Sequence, residues 1–300
     1  MRIGFDYGGT KIAGIAIGDN GETLAELRFE TPRFDYEAGV LAIQSATLQL
    51  QEMAGATAGS VGIGVPGSVD LSTGQISLGN SVWLNGRDLR GDLEAAVGLP
   101  VKIANDANCF ALSEAVDGAG EGASVVFGVI LGTGVGGGIV VNGQILIGAN
   151  SIAGEWGHMP LPSPRDDERP GPKCSCGQFG HTESWLSGPS LAADYARRAG
   201  VPIEGGPSVP EIVSMFKSGD AVAEEAFARF EDRLARSLAA IINVLDPDVI
   251  VLGGGVSNID RIYETILDLV KPYVFGDQLK TSIVRNMHGD SSGVRGAAWL

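Results

Sequence analysis

The sequence predicts an α/β fold built as two like halves, and three observations carry that prediction. Short β-rich runs come first and then alternate with helical ones, which is the order of a mixed sheet with helices on its faces. One local device occurs twice: an apolar run, a glycine turn carrying a threonine, and a second β-rich run, at residues 4–17 and again at 128–141. Glycine supplies 45 of the 300 residues, roughly twice its usual share, and it is gathered into short clusters at such turns.

Residues 2–6, 12–17 and 23–31 read as three strands joined by tight turns, and 36–53 as a helix. A short buried strand at 61–65 ends at Pro66-Gly67; 89–97 is helical, 101–104 a strand and 107–116 a helix. The small residues of 118–123 break this pattern, and it then restarts. Strands are expected at 124–131 and 138–141, with Asn142-Gly143 as a two-residue hairpin turn into 144–147. Residues 148–188 are irregular and rich in Pro, Gly, Cys and His, a length that points to function or a cross-link. Helices follow at 190–198, 211–217 and 221–245, then a strand at 248–252 ending in Gly253-Gly254-Gly255. A helix at 259–270, a strand at 282–286 and a helix at 293–300 complete the chain. The predicted division is a first domain of residues 1–117, completed by a C-terminal helix at 290–300, and a larger domain of 118–289 holding a metal-binding loop at 150–188. Such a duplication places the ligand in the cleft between the halves.

Composition narrows the function classes. Lys and Arg number 21 against 36 Asp and Glu, a formal net charge of −15, which argues against nucleic acid or an anionic membrane surface as partner. No run of 18 apolar residues occurs, so no transmembrane helix is expected. The chain opens in a strand, so no leader is expected, and three cysteines do not make a disulfide framework. The cytoplasm is the expected compartment.

The first turn contains Asp6, Gly8, Gly9, Thr10 and Lys11. Glycines let backbone N–H groups close on an anion and the threonine adds a hydroxyl donor, so the turn suits a phosphate, with Asp6 holding Mg²⁺ through water. Gly132-Thr133-Gly134 repeats the device, and the pair favours phosphate cradling over an ordinary glycine hairpin. Gly132, Gly134 and Gly137 also fit G-x-G-x-x-G, but a strand and an Asn-Gly turn follow where the dinucleotide fingerprint needs a helix.

Asn105 and Asp106 lie where a strand passes into a helix. Asp106 either caps that helix or acts as a general base on a substrate hydroxyl, and its place at a strand's carboxyl end beside phosphate turns favours the base. His158, Cys174, Cys176 and His181 offer two nitrogen and two sulfur ligands, enough for tetrahedral Zn²⁺. Zinc there would hold Glu155 and Glu183 nearby, carboxylates suited to sugar hydroxyls. Cys109 sits among apolar residues and reads as core. The loop from Asn80 to Gly86 either lines a sugar pocket or is a turn around a packed Trp83, and Gly253, Gly254 and Gly255 serve either adenosine approach or close helix packing.

Together the Asp6-to-Lys11 turn, Pro66-Gly67, Asn105-Asp106, Gly132-Thr133-Gly134, Glu155-x-Gly-His158, the C-x-C-G-x-x-G-x-x-E stretch and the late triple glycine resemble the ROK family of sugar kinases and repressors. The resemblance covers essentially the whole chain. Residues 81–86, 154–158 and 288–300 look closest to its fructokinase (mannokinase) branch, with the N-acetylglucosamine kinase branch as neighbour. The resemblance implies an actin-like (ribonuclease H-like) two-domain fold, ATP with Mg²⁺, and phosphorylation of a hexose hydroxyl. It implies Asp106 as base, with Asn105, Glu155, His158 and Glu183 around the sugar. It implies zinc on His158, Cys174, Cys176 and a third position, usually cysteine, that is His181 here. A homodimer is typical of the family.

The expected function is therefore ATP-dependent phosphorylation of a hexose to the 6-phosphate, with D-fructose first and mannose or glucose as further substrates. The alternative is an N-acetylglucosamine kinase. A sugar-responsive repressor fits less well, because family repressors carry an N-terminal helix-turn-helix extension and this chain is acidic and begins at the first strand.

Overall fold

The computed structural model of the chain describes residues 1–69, 75–77 and 81–300. Its elements are β1 (Arg2–Tyr7), β2 (Lys11–Ile17), β3 (Thr23–Glu30), α1 (Tyr36–Ala54), β4 (Val61–Val65), β5 (Ser68–Val69), β6 (Ile76–Ser77), α2 (Leu89–Val97), β7 (Val101–Asn105) and α3 (Asp106–Asp117). The chain continues through β8 (Val125–Leu131), β9 (Val135–Val141), β10 (Gln144–Ile145), α4 (Glu183–Leu186), α5 (Gly188–Ala199), α6 (Val209–Lys217) and α7 (Ala221–Leu245). It ends with β11 (Val249–Gly253), α8 (Asp260–Val270), β12 (Ser282–Arg285) and α9 (Ser292–Trp299).

Two five-stranded sheets, ordered β3-β2-β1-β4-β7 and β10-β9-β8-β11-β12, repeat one pattern. In each, a run of three consecutive strands is followed by two parallel neighbours reached through helices. Contacts divide the chain into two compact units, residues 1–123, 138–154 and 286–300, and residues 124–137 and 155–285.

In the first unit Ile3, Phe5 and Tyr7 of β1 and Ile63 of β4 meet Ile43 and Leu50 of α1 in one buried cluster. α1 starts where Asp35 accepts a hydrogen bond from the Ala38 N–H and stops at Gly55 in the left-handed region. α9 covers the other side of the sheet so closely that a Cβ on Gly62 would stand 1.8 Å from the Ala297 carbonyl oxygen. Glu114 of α3 is fully buried and anchors that helix's approach: it accepts from Met287 N–H (3.0 Å), Ser292 Oγ (2.8 Å) and Ala119 N–H (3.0 Å).

In the second unit β8, β11 and β12 run parallel, with Gly253 in register with Ile130. α7 buries Phe227, Phe230, Leu234 and Leu238. It also sends two buried arginines into the irregular segment. Arg233 Nε lies 2.8 Å from Glu168 Oε1, and Arg236 Nη2 lies 2.9 Å from both Glu168 oxygens while its Nη1 donates to the Pro162 and Ser163 carbonyls. Burial alone would raise the Glu168 carboxyl pKa, but the Arg165 N–H and the two guanidinium groups hold it below the ordinary value. The segment expected to be without structure is thus pinned by ion pairs. It carries short helical turns at Trp156–His158 and Asp166–Glu168, and β-bridges join Pro160 to His181 and Lys173 to Phe179.

The element boundaries differ from expectation in two instructive places. β9 begins at Val135, three residues before 138, because its glycines pair as strand residues. α5 begins at Gly188 because Ser187 caps it, accepting from the Ser190 N–H at 3.3 Å, with Pro189 in the first turn where a missing N–H costs nothing.

Candidate functional site

In the first unit the parallel register brings the acidic residues to one end of the sheet. Asp6 of β1 pairs with Gly64 of β4, and Gly64 pairs with Ala104 of β7, two residues before Asp106. At about 4.8 Å per strand, Asp6 and Ala104 lie two strands and about 10 Å apart. Both carboxylates bear on the buried Cys109 thiol, whose pKa is pushed well up first by burial and then by the charges of Asp106 and Asp6. Cys109 is core, as expected. Burial also raises the Asp6 pKa, with Arg28 opposing the shift.

The turn after Asp6 is held open from behind. Thr31 Oγ1 donates to the Gly8 carbonyl at 2.7 Å, and the Thr31 N–H donates to the Thr10 carbonyl at 2.9 Å. Thr10 and Lys11 remain exposed. Ser81, in the loop expected to line a sugar pocket or pack as a turn, stands beside the first glycine turn instead: it is 1% exposed, its Oγ has no hydrogen-bond partner among the described residues, and it is the nearest heavy atom to a Cβ built on Gly9, at 3.5 Å. Asn80, expected at the sugar, lies outside the described residues. Its neighbour Trp83 stacks edge-on against Phe34 with centroids 5.2 Å apart, as in the packed-turn alternative.

Asn105, not Asp106, caps α3. Its Oδ1 accepts from the Ala107 N–H (2.9 Å) and the Asn108 N–H (3.4 Å), and its Nδ2 donates to the Gly67 carbonyl (3.0 Å). Asp106 is the first helical residue, and its Oδ1 accepts from the Ala107 N–H at 2.8 Å. Its negative charge stands at the positive end of the helix.

In the second unit the turn Gly132–Gly134 closes on itself, with the Gly132 N–H donating to the Gly134 carbonyl at 2.9 Å. Gly132 and Thr133 open onto a cavity of about 720 Å³ walled by Pro189, Val209, Val256 and Ile259. Gly255 reaches the same cavity. Gly254 serves packing instead: at φ 82° it lies against β8, and a Cβ there would stand 2.5 Å from the Leu131 carbonyl oxygen. Of the two glycines that follow β11, Gly254 packs against β8 and Gly255 lines the cavity.

His158, Cys174, Cys176 and His181 converge, with one ligand atom of each within 4.8 Å of the others. His158 Nδ1 lies 3.5 Å from Cys174 Sγ, and His181 Nδ1 lies 3.3 Å from Cys176 Sγ. Tetrahedral zinc with Zn–S near 2.3 Å and Zn–N near 2.0 Å sets such nitrogen and sulfur atoms about 3.5 Å apart. The donor set and its spacing thus fit that ion, and the Nε2 of each ring is left outside the cluster. Glu183, two residues past His181, accepts from Ser175 Oγ (2.8 Å) and from the Val135 N–H (3.1 Å). Glu155 is exposed at the start of the turn that carries His158.

Comparison with known proteins gives the family. A model of the ROK family matches residues 2–300. The N-acetyl-D-glucosamine kinase of Shigella flexneri serotype 5b is 40% identical over 305 residues, covering 100% of this chain and 99% of that protein. Among solved structures, a ROK hexokinase from Thermus thermophilus superposes with a TM-score of 0.87 at 31% identity, covering 99% of this chain and 96% of the other. A ROK family glucokinase from Streptomyces griseus, in complex with glucose and AMPPNP, gives 0.79 at 29% identity over 99% and 97%.

Proposed function

The chain belongs to the ROK family and is a hexose phosphotransferase with the actin-like duplicated α/β fold, and we propose that the sugar it phosphorylates is N-acetyl-D-glucosamine. The observation that carries the sugar is the 40% identity to an N-acetyl-D-glucosamine kinase over 99% of that protein. Fructose, preferred on the short motifs at 81–86, 154–158 and 288–300, gives way to the alternative, because the Shigella flexneri relative that matches over the whole chain is named for N-acetyl-D-glucosamine.

In the proposed mechanism Asp106 accepts the proton of the 6-hydroxyl as its oxygen attacks the terminal phosphorus of ATP. Backbone N–H groups of the Gly8 to Lys11 turn, and those of Thr133 and Gly134 (the Gly132 N–H being used within its own turn), are assigned to the phosphate oxygens. The cavity beside Gly132, Thr133 and Gly255 takes the adenosine, its apolar walls matching the base. Asn105 already uses its carbonyl oxygen and one donor on the scaffold, so one amide hydrogen is left for the sugar. Glu155, Glu183 and the outward Nε2 of His158 are assigned to the other sugar hydroxyls.

Asp6 is the carboxylate that would hold Mg²⁺. A single half-buried acid beside a phosphate turn suits an ion that keeps most of its waters and binds phosphates directly. His158, Cys174, Cys176 and His181 would hold zinc, which supplies a structural cross-link when bound. No helix among the described residues is long and apolar enough to cross a membrane.

The test is a coupled ADP-release assay over N-acetylglucosamine, glucose, mannose and fructose. The highest kcat/KM is expected on N-acetylglucosamine; a higher value on fructose would reject the reading.

A further inference from the structure

We infer that Ser175 is a positioning residue through which the metal loop sets the shape of the Gly132–Gly134 turn, so that metal occupancy governs nucleotide affinity. The inference rests on the reading of that turn as a phosphate site.

Glu183 is the junction. One carboxylate oxygen takes the Ser175 hydroxyl at 2.8 Å, and Ser175 lies between the ligands Cys174 and Cys176. The other oxygen takes the N–H of Val135, the residue directly after the turn, at 3.1 Å. The backbone of the same segment is tied to the remaining ligands. Thr182 donates its N–H (2.8 Å) and its hydroxyl (3.1 Å) to the carbonyl of Met159, next to His158, and His181 immediately precedes Thr182. Every residue of the four-ligand cluster is thus within two residues of an anchor of Glu183.

The far end of the turn is gripped from the same direction. α4 starts at Glu183, and the Ser187 N–H that follows it donates to the Glu183 carbonyl at 3.2 Å. The next residue, Gly188, donates its N–H to the Gly132 carbonyl at 2.8 Å. Both flanks of the turn, Gly132 and Val135, are therefore held by groups that adjoin the metal loop. The fit is tight: a Cβ on Gly134 would stand 2.8 Å from Glu183 Oε2. A displaced carboxylate would release the Val135 N–H and press on, or withdraw from, the backbone that faces the phosphates.

The hydroxyl of Ser175 is exposed and its removal leaves all four metal ligands in place. This makes Ser175→Ala the informative change. ADP affinity is measured by calorimetry without sugar on zinc-loaded wild type, on protein stripped with chelator, on Ser175→Ala and on Ser175→Thr. Zinc content and amide hydrogen exchange of residues 131–137 are measured on the same samples. Ser175→Ala is expected to keep its zinc, bind ADP roughly three- to tenfold more weakly, as for loss of one hydrogen bond of ordinary net strength, and exchange faster at the turn. Stripped protein is expected to weaken in the same direction, and Ser175→Thr to restore wild-type values. ADP affinity within twofold of wild type in both Ser175→Ala and stripped protein would sink the coupling alone, as would a Ser175→Ala protein that sheds its metal. Wild type that binds no adenine nucleotide would instead overturn the phosphate reading, and the coupling with it.

Discussion

The side-chain amide of Asn105 donates to the Gly67 carbonyl at 3.0 Å, tying the first turn of α3 to the turn that follows β4. Asn105 is the residue that caps the helix, and Asp106 follows it as the first helical residue, where the strand ends. The two neighbours are assigned different tasks, support to Asn105 and chemistry to Asp106. Asp106→Ala is expected to lower kcat about 10²- to 10⁴-fold, the usual worth of a general base, while ADP affinity stays near wild type. Turnover within tenfold of wild type in a steady-state assay would remove Asp106 as base.

Asn105→Ala should behave differently. It deletes the cap, at a cost of about 1 kcal/mol, and leaves the Gly67 carbonyl without its donor. Chemical denaturation should show a lowered midpoint with an unchanged slope, together with a partial loss of kcat as Asp106 loses its support. A midpoint equal to wild type would show that the cap contributes nothing.

The His158, Cys174, Cys176 and His181 cluster predicts one zinc per chain by metal analysis. Cys176→Ser is expected to lose most of that metal, to increase hydrogen exchange across residues 155–182, and to raise the sugar KM more than the ATP KM changes. Fully active protein that contains no zinc would refute the assignment.

Glu168 makes stability sensitive to acid. Its pKa is held below the ordinary glutamate value of about 4.3, so its contribution is fully present above that value and fades as pH falls through the lower, folded-state value. Thermal unfolding between pH 6 and pH 3 should show a drop that Glu168→Gln reduces, and that variant should also be less stable at pH 7 because the buried Arg233 and Arg236 lose their shared carboxylate and keep only Asp194 (3.4 Å) and Asp232 (3.0 Å) as counter-ions. A pH profile identical in wild type and variant would contradict the assignment.

Glu114→Ala removes the acceptor shared by Met287 N–H, Ser292 Oγ and Ala119 N–H. Each donor left buried and unpaired costs about 1–3 kcal/mol, so α9 should show local opening by hydrogen exchange well before global unfolding. Unchanged protection of residues 286–300 would show that Gly62 and the helix packing alone suffice to hold it.

Much of this molecule is legible in its sequence wherever the governing physics is local. Periodicity placed the long helix at 221–245, and Asn142-Gly143 marked a hairpin whose φ values of 49° and 75° favour those two residues. The spacing of His158, Cys174, Cys176 and His181 named the metal cluster because only a few backbone arrangements bring such ligands together. The two glycine-threonine turns stood out because backbone approach demands glycine. The sequence by itself therefore determined the strand and helix order, the duplicated sheet pattern and the chemistry of the turns. Only the tertiary structure decided which residues serve them. Arg233 and Arg236 meet Glu168, and Ser81 meets Gly9, far apart in the chain, while Ser175 meets Glu183 across an irregular loop, so no local rule announces these pairings. The choice between fructose and N-acetylglucosamine was hidden for the same reason. The residues assigned to phosphate and to the transferred proton would serve any hexose, whereas room for an acetamide depends on side chains brought together only by folding.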